Sequence, residues 1–101
     1  MAHQLILGFT GVTEEQYWAV DRALGTHMAS DHGDIPPGLR SHTFGRTADG
    51  EFLVTEVWDT VEDQQAFMDA RLGRALVEGG ITGPPSQMTW LEVLAHRDFA
   101  D

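Results

Sequence analysis

The sequence predicts an α+β fold of ferredoxin-like type, β-α-β-β-α-β, with a four-stranded antiparallel sheet and two helices on one face. Three observations predict it. Four segments carry side chains that alternate at the two-residue period of strands. Two others place apolar residues at helical spacing behind clear N-cap signals, and the order of the six matches the split βαβ unit. Right-handed crossovers then put both helices on the same side of the sheet. The chain of 101 residues fits a single domain, residues 1–101.

Leu5–Thr10 reads as the first strand. Thr13-Glu14-Glu15-Gln16 is a capping box, with Thr13 as N-cap and Gln16 reaching back. The helix it opens has the stripe Tyr17, Val20, Leu24 and Met28. Leu39–Arg46 is the second strand, Thr47–Gly50 a turn signalled by Asp49-Gly50, and Glu51–Trp58 the third strand. Thr60 caps a second helix with the stripe Gln64, Phe67, Met68, Arg71, Leu72, Ala75 and Leu76, closed by Gly79 or Gly80. Gln87–His96 completes the sheet.

Composition removes whole classes of function. The net charge is −10, and the chain holds no cysteine, lysine or asparagine. That excludes a disulfide framework, a thiolate nucleophile, Schiff-base chemistry, a phosphate-loop lysine and N-glycosylation. An acidic surface without clustered basic residues argues against nucleic acid and anionic membranes. The longest strongly apolar stretch, Leu5–Phe9, is far too short to span a bilayer and lacks signal-peptide features, so a cytoplasmic location is expected.

The strand faces predict a partner. Phe52, Val54, Glu56 and Trp58 lie on one face of the third strand, and Leu53, Thr55 and Val57 on the other. The first and last strands are likewise apolar on both sides. Two helices cover one face only, so the other would expose Phe, Trp and Leu as a patch larger than monomers usually carry. A homodimer joined sheet to sheet through a two-fold interface is the simplest solution.

Pro36-Pro37-Gly38-Leu39, His42, Asp49-Gly50, Val57-Trp58-Asp59, Phe67 and Arg71-Leu72 together resemble the dimeric α+β-barrel superfamily, in particular small proteins similar to antibiotic biosynthesis monooxygenases. The resemblance spans essentially the whole chain. It implies sheets paired in a dimeric barrel. It also implies a range of activities: cofactor-free oxygenation of aromatic polyketides, haem binding or degradation, polyketide cyclisation, isomerisation, or none. The oxygenase and haem-degrading members use an Asn with a Trp, and the haem enzymes add a His on the second helix. Here Trp58 is the one match, since the chain has no Asn and residues 60–78 contain no His.

Candidate site residues follow from chemistry that is out of place in a core. Arg71 sits within the apolar stripe of the second helix, as a carboxylate, phenolate or enolate anchor or as one half of a structural ion pair with Glu56 or Glu92. His42, mid-strand, suits general acid–base work or a satisfied core position. Its neighbour depends on hairpin register: a two- or four-residue loop pairs it with Thr55 or Val57, and a three-residue loop with a bulge places it opposite Glu56. Glu56 and Glu92 lie on otherwise apolar faces and could serve as bases or pair with arginines. Gln64 could bind a carbonyl, while Tyr17, Phe44, Trp58, Phe67 and Trp90 could line an aromatic pocket or simply fill the core. Ser30–Asp34 is too sparse in ligands to enclose a cation by itself, so neither metal nor cofactor is expected.

Two kinds of function fit these residues. One is a small enzyme holding an apolar, aromatic or polyketide-like molecule in each protomer: a metal-free cyclase, an isomerase or a cofactor-independent monooxygenase. The other is a non-catalytic binding or stability module. A haem-binding protein ranks below both and would need His27, His32, His42 or His96 as axial ligand. A void of about 300 Å³ or more near Arg71 favours a ligand site, and tight packing favours the module.

Overall fold

A computed structural model describes residues 2–99. The elements are β1 (His3–Phe9), α1 (Glu14–Leu24), β2 (Leu39–Arg46), β3 (Phe52–Trp58), α2 (Val61–Phe67), a π-helical stretch (Met68–Leu72), α3 (Gly73–Glu78) and β4 (Gln87–Glu92). The strands form one antiparallel sheet in the order β2-β3-β1-β4, the ferredoxin-like arrangement that the sequence predicts.

Local chemistry accounts for the boundaries. The capping box at α1 is complete: the Gln16 amide donates to Thr13 Oγ1 at 3.1 Å, and Thr13 N–H to Gln16 Oε1 at 2.9 Å. Gly25 takes the left-handed conformation, φ 74°, that closes α1, so Met28 lies beyond the helix whose stripe it extends in the sequence. Thr60 Oγ1 accepts from Asp63 N–H at 3.0 Å and starts α2. The last strand stops at Glu92 rather than His96 because β1 begins at His3, which pairs with Glu92. Beyond that pair, among the described residues, only Val93 N–H finds a strand-like acceptor, the Ala2 carbonyl.

The hairpin between β2 and β3 sets the register at the site. Thr47 N–H bonds to the Glu51 carbonyl at 2.8 Å, leaving the three-residue loop Ala48-Asp49-Gly50, with Gly50 at φ 86°. Arg46 therefore faces Phe52, Phe44 faces Val54 and His42 faces Glu56. A bulge between Leu39 and Ser41 absorbs Arg40, whose guanidinium reaches both oxygens of Asp59.

The aromatic and aliphatic strand faces separate cleanly. Leu5, Leu7, Val54, Trp58 and Phe67 form the buried core under the helices. The opposite face carries Ile6, Leu53, Val57 and Leu91 among Thr43, Thr55 and Thr89. This corrects the expectation that Phe and Trp would be exposed there: every strand aromatic is on the helix side, and the uncovered centre is aliphatic. Leu91 is 44% exposed.

Candidate functional site

Four buried or half-buried polar side chains join in one chain across α1, β2 and β3. Trp58 Nε1–H donates to Glu56 Oε1 at 3.1 Å, His42 Nδ1 lies 2.8 Å from Glu56 Oε2, and the Tyr17 hydroxyl lies 2.7 Å from His42 Nε2. Every donor and acceptor is used when His42 carries its proton on Nδ1. That nitrogen then donates to the carboxylate, and Nε2 accepts from the phenol. The His42–Glu56 pair is largely withdrawn from water, with side-chain exposures of 12% and 7%.

Each position has a local cause. Tyr17 is held on α1 by face-to-face stacking on Phe44, with ring centroids 3.6 Å apart, and Phe44 stacks in turn on Phe52 at 5.1 Å. Glu56 is fixed by two donors, which hold its carboxylate as the anchor of the chain. Burial, followed by the charges of Asp21 and Glu56, pushes the Tyr17 phenol well above its ordinary value of 10.0. The phenol therefore stays neutral and serves as a hydrogen-bond donor.

Tyr17 is the only tyrosine, so a phenolate titration of the whole chain reads it alone. A raised folded pKa means that the unfolded chain ionises first, and stability falls as pH rises above 10. We expect no phenolate absorption from the folded protein at the ordinary tyrosine pKa. The band should appear only with alkaline unfolding, monitored together by absorbance and circular dichroism. A reversible titration near pH 10 with the fold intact would refute the buried donor.

The chain ends at a cavity of about 160 Å³ between the sheet and the helices. Its walls are almost wholly apolar: Leu7 and Phe9 from β1, Val20 and Leu24 from α1, Phe67, Met68, Leu72 and Leu76 from the second helix, and Met88 from β4. Tyr17, His42, Glu56, Asp21 and Thr26 supply its polar side chains. The π-helical stretch contributes Met68 and Leu72, and Gly73 N–H closes it on the Met68 carbonyl. Such insertions are frequent at functional sites.

Of the residues singled out in the sequence, His42, Glu56, Tyr17 and Phe67 line this cavity. Trp58 is fully buried behind Glu56, and Phe44 lies behind Tyr17. Trp90 packs on the core beside Leu5 without reaching the cavity. Gln64 is buried on α2, and its Nε2 has no hydrogen-bond partner among the described residues. Glu92 is exposed at the end of β4.

Arg71 is placed elsewhere. Its Nη2 donates to the carbonyls of Leu24 at 2.8 Å and Asp34 at 3.2 Å and meets Asp34 Oδ2 at 3.2 Å, and the guanidinium lies over the Phe67 ring. It ties the end of α1 to the following loop, with Asp34 rather than Glu56 or Glu92 as its ion-pair partner.

Asp21 and Thr26 were not singled out in the sequence. Asp21 is buried, accepts from Thr26 Oγ1 at 2.5 Å and from Met28 N–H at 3.1 Å, and so shapes the turn after α1. Its signal was present: Asp21 is four residues from Tyr17, on the same helix face.

The fold is that of solved structures of antibiotic biosynthesis monooxygenase-like proteins, which superpose on nearly the whole chain. An antibiotic biosynthesis monooxygenase candidate from Chloroflexus aurantiacus J-10-fl shares 15% identity over 99% of this chain and 100% of its own, with a TM-score of 0.66. A monooxygenase from the gene ActVA-Orf6 of Streptomyces coelicolor, in complex with the ligand nanaomycin D, shares 18% over 98% and 91%, TM-score 0.54. A mutant of MhuD with two manganese protoporphyrin IX bound per active site shares 13% over 98% and 100%, TM-score 0.56. No family model and no curated protein matches the sequence.

The residues here do not fit a haem. Both nitrogens of His42 are engaged, by Tyr17 and Glu56, and the cavity of about 160 Å³ is too small for the macrocycle. It is also about half the usual lower bound for a ligand site, roughly 300 Å³. It nevertheless matches engineered cavities of about 150 Å³ that hold one benzene ring.

Proposed function

We propose that the protein is a homodimeric acid–base enzyme that holds one small, ring-bearing apolar molecule in each protomer. The observation that carries this reading is the Tyr17–His42–Glu56 chain ending at an otherwise apolar cavity. A proton leaving an acidic O–H or C–H of the ligand passes to the Tyr17 oxygen as the Tyr17 proton moves to His42 Nε2. Glu56 then stabilises the imidazolium. Return of the proton to a different carbon makes the reaction an isomerisation, and attack of the resulting carbanion on an internal carbonyl makes it a cyclisation. Attack on dioxygen makes it an oxygenation. The proton transfer itself needs no metal.

A non-catalytic module would use the same cavity for binding alone. Deuterium exchange separates the two. Small ring ketones that bind are incubated in D2O, and exchange at the acidic C–H is followed by NMR. We expect acceleration of the order of 100-fold over buffer, abolished in His42→Gln with binding retained. Binding without accelerated exchange for any such ketone would leave the module. Dimerisation is supported by the aliphatic face of the sheet opposite the helices, which only a second body can cover.

A further inference from the structure

The charges around the cavity are one-sided. Two carboxylates, Asp21 and Glu56, line it, and no arginine does. Arg71 is committed to Leu24 and Asp34, Arg40 to Asp59 and Arg46 to Glu14. Both lining carboxylates are satisfied within the protein, Glu56 by Trp58 and His42, and Asp21 by Thr26 and Met28. An anionic ligand would be stripped of water and set beside two like charges with no counterion. The raised pKa of the Tyr17 phenol has burial as its first cause, then these same two carboxylates.

The hydrogen-bond directions narrow the ligand further. Tyr17 lines the cavity and gives its proton to His42, so what its hydroxyl has left to offer a ligand is an acceptor. We infer that Asp21, together with Glu56, makes this an anion-rejecting site that takes a neutral single-ring molecule through a hydroxyl donated to Tyr17. Asp21 is thus a specificity-determining residue. The inference rests on the ligand-site reading above and adds charge and donor type to it. Neutrality also suits the proton transfer. A neutral ligand that loses its proton to His42 leaves the total charge of the site unchanged, whereas a preformed anion adds one negative charge that nothing offsets.

The test is a matched series against the whole protein at neutral pH, by calorimetry and ligand-observed NMR: 4-propylphenol, propylbenzene and 4-propylbenzoate. We expect the phenol to bind at least 10-fold more tightly than propylbenzene and at least 100-fold more tightly than the benzoate. Asp21→Asn, which keeps an oxygen for Thr26 and Met28, should narrow the phenol-to-benzoate gap by 10-fold or more. Tyr17→Phe should bring the phenol down to the level of propylbenzene. If Asp21→Asn is not folded by circular dichroism, the wild-type series and Tyr17→Phe decide the matter. Benzoate binding as tightly as the phenol would overturn the charge selection while leaving a ligand site. Failure of all three compounds to bind would overturn the ligand site and this inference with it.

Discussion

Glu56→Ala is expected to lower the free energy of unfolding by about 3–5 kcal/mol, because it removes the acceptor of two buried hydrogen bonds to a charged group, each worth about 1.5–3 kcal/mol. Glu56 is 6% exposed in a strand at the centre of the helix-covered face, and its carboxylate accepts from Trp58 Nε1–H and His42 Nδ1–H. Alanine leaves both donors without a partner and opens a void beside a fully buried indole. Glu56→Gln should cost far less, about 1–2 kcal/mol, because the amide oxygen still accepts one of the two bonds while its NH2 group opposes the other donor. Denaturant unfolding of the two variants checks this. Equal, small losses in both would mean that water replaces the carboxylate and that the chain is not the anchor described here. The contrast also bears on activity. Glutamine cannot stabilise an imidazolium, so Glu56→Gln should remain folded while losing the deuterium exchange proposed for the wild type.

The architecture was legible in the sequence because two independent periodicities and two capping signals agree on it. Thr13 with Gln16, and Thr60 with Asp63, fix both helix starts through short-range hydrogen bonds, which the local residue spacing specifies. The His42–Glu56 contact was legible only conditionally. It depends on a three-residue loop, and Asp49-Gly50 signals a turn without specifying its length.

Three features were hidden, each for a physical reason. The π-helical stretch leaves no mark in residue spacing, since it is a local shift of hydrogen bonding from four residues to five. Arg71 sits at the rim of its stripe, where the aliphatic stem packs and the guanidinium reaches loop carbonyls whose position only the tertiary structure gives. The end of β4 is set by where β1 begins, a non-local constraint, so the apolar run through Leu94 reads as strand although, past the Val93–Ala2 bond, it pairs with nothing among the described residues. Asp21 differs: as an acid inside the pattern Tyr17, Val20, Leu24, it was visible and marks the site.

Val57→Glu is expected to turn a dimer into a folded monomer. Val57 lies on the central strand β3, on the face away from the helices, with Ser41 and Gln4 as cross-strand neighbours. In the monomer that position is half open, so a glutamate there reaches water and the strand pairing persists. In a two-fold, sheet-to-sheet dimer every substitution enters twice, and two carboxylates are brought into a layer whose sheets lie only about 10 Å apart. Stripping water from both and opposing like charges costs at least about 4 kcal/mol, a rise of roughly a thousandfold in the dissociation constant. Light scattering at micromolar concentration and far-ultraviolet circular dichroism together check this. The wild type should scatter as a dimer and Val57→Glu as a monomer with an unchanged spectrum. A wild-type monomer would mean that the aliphatic face is covered by something other than a second copy. A Val57→Glu dimer would place the interface elsewhere, since no other route removes two charges from so narrow a layer.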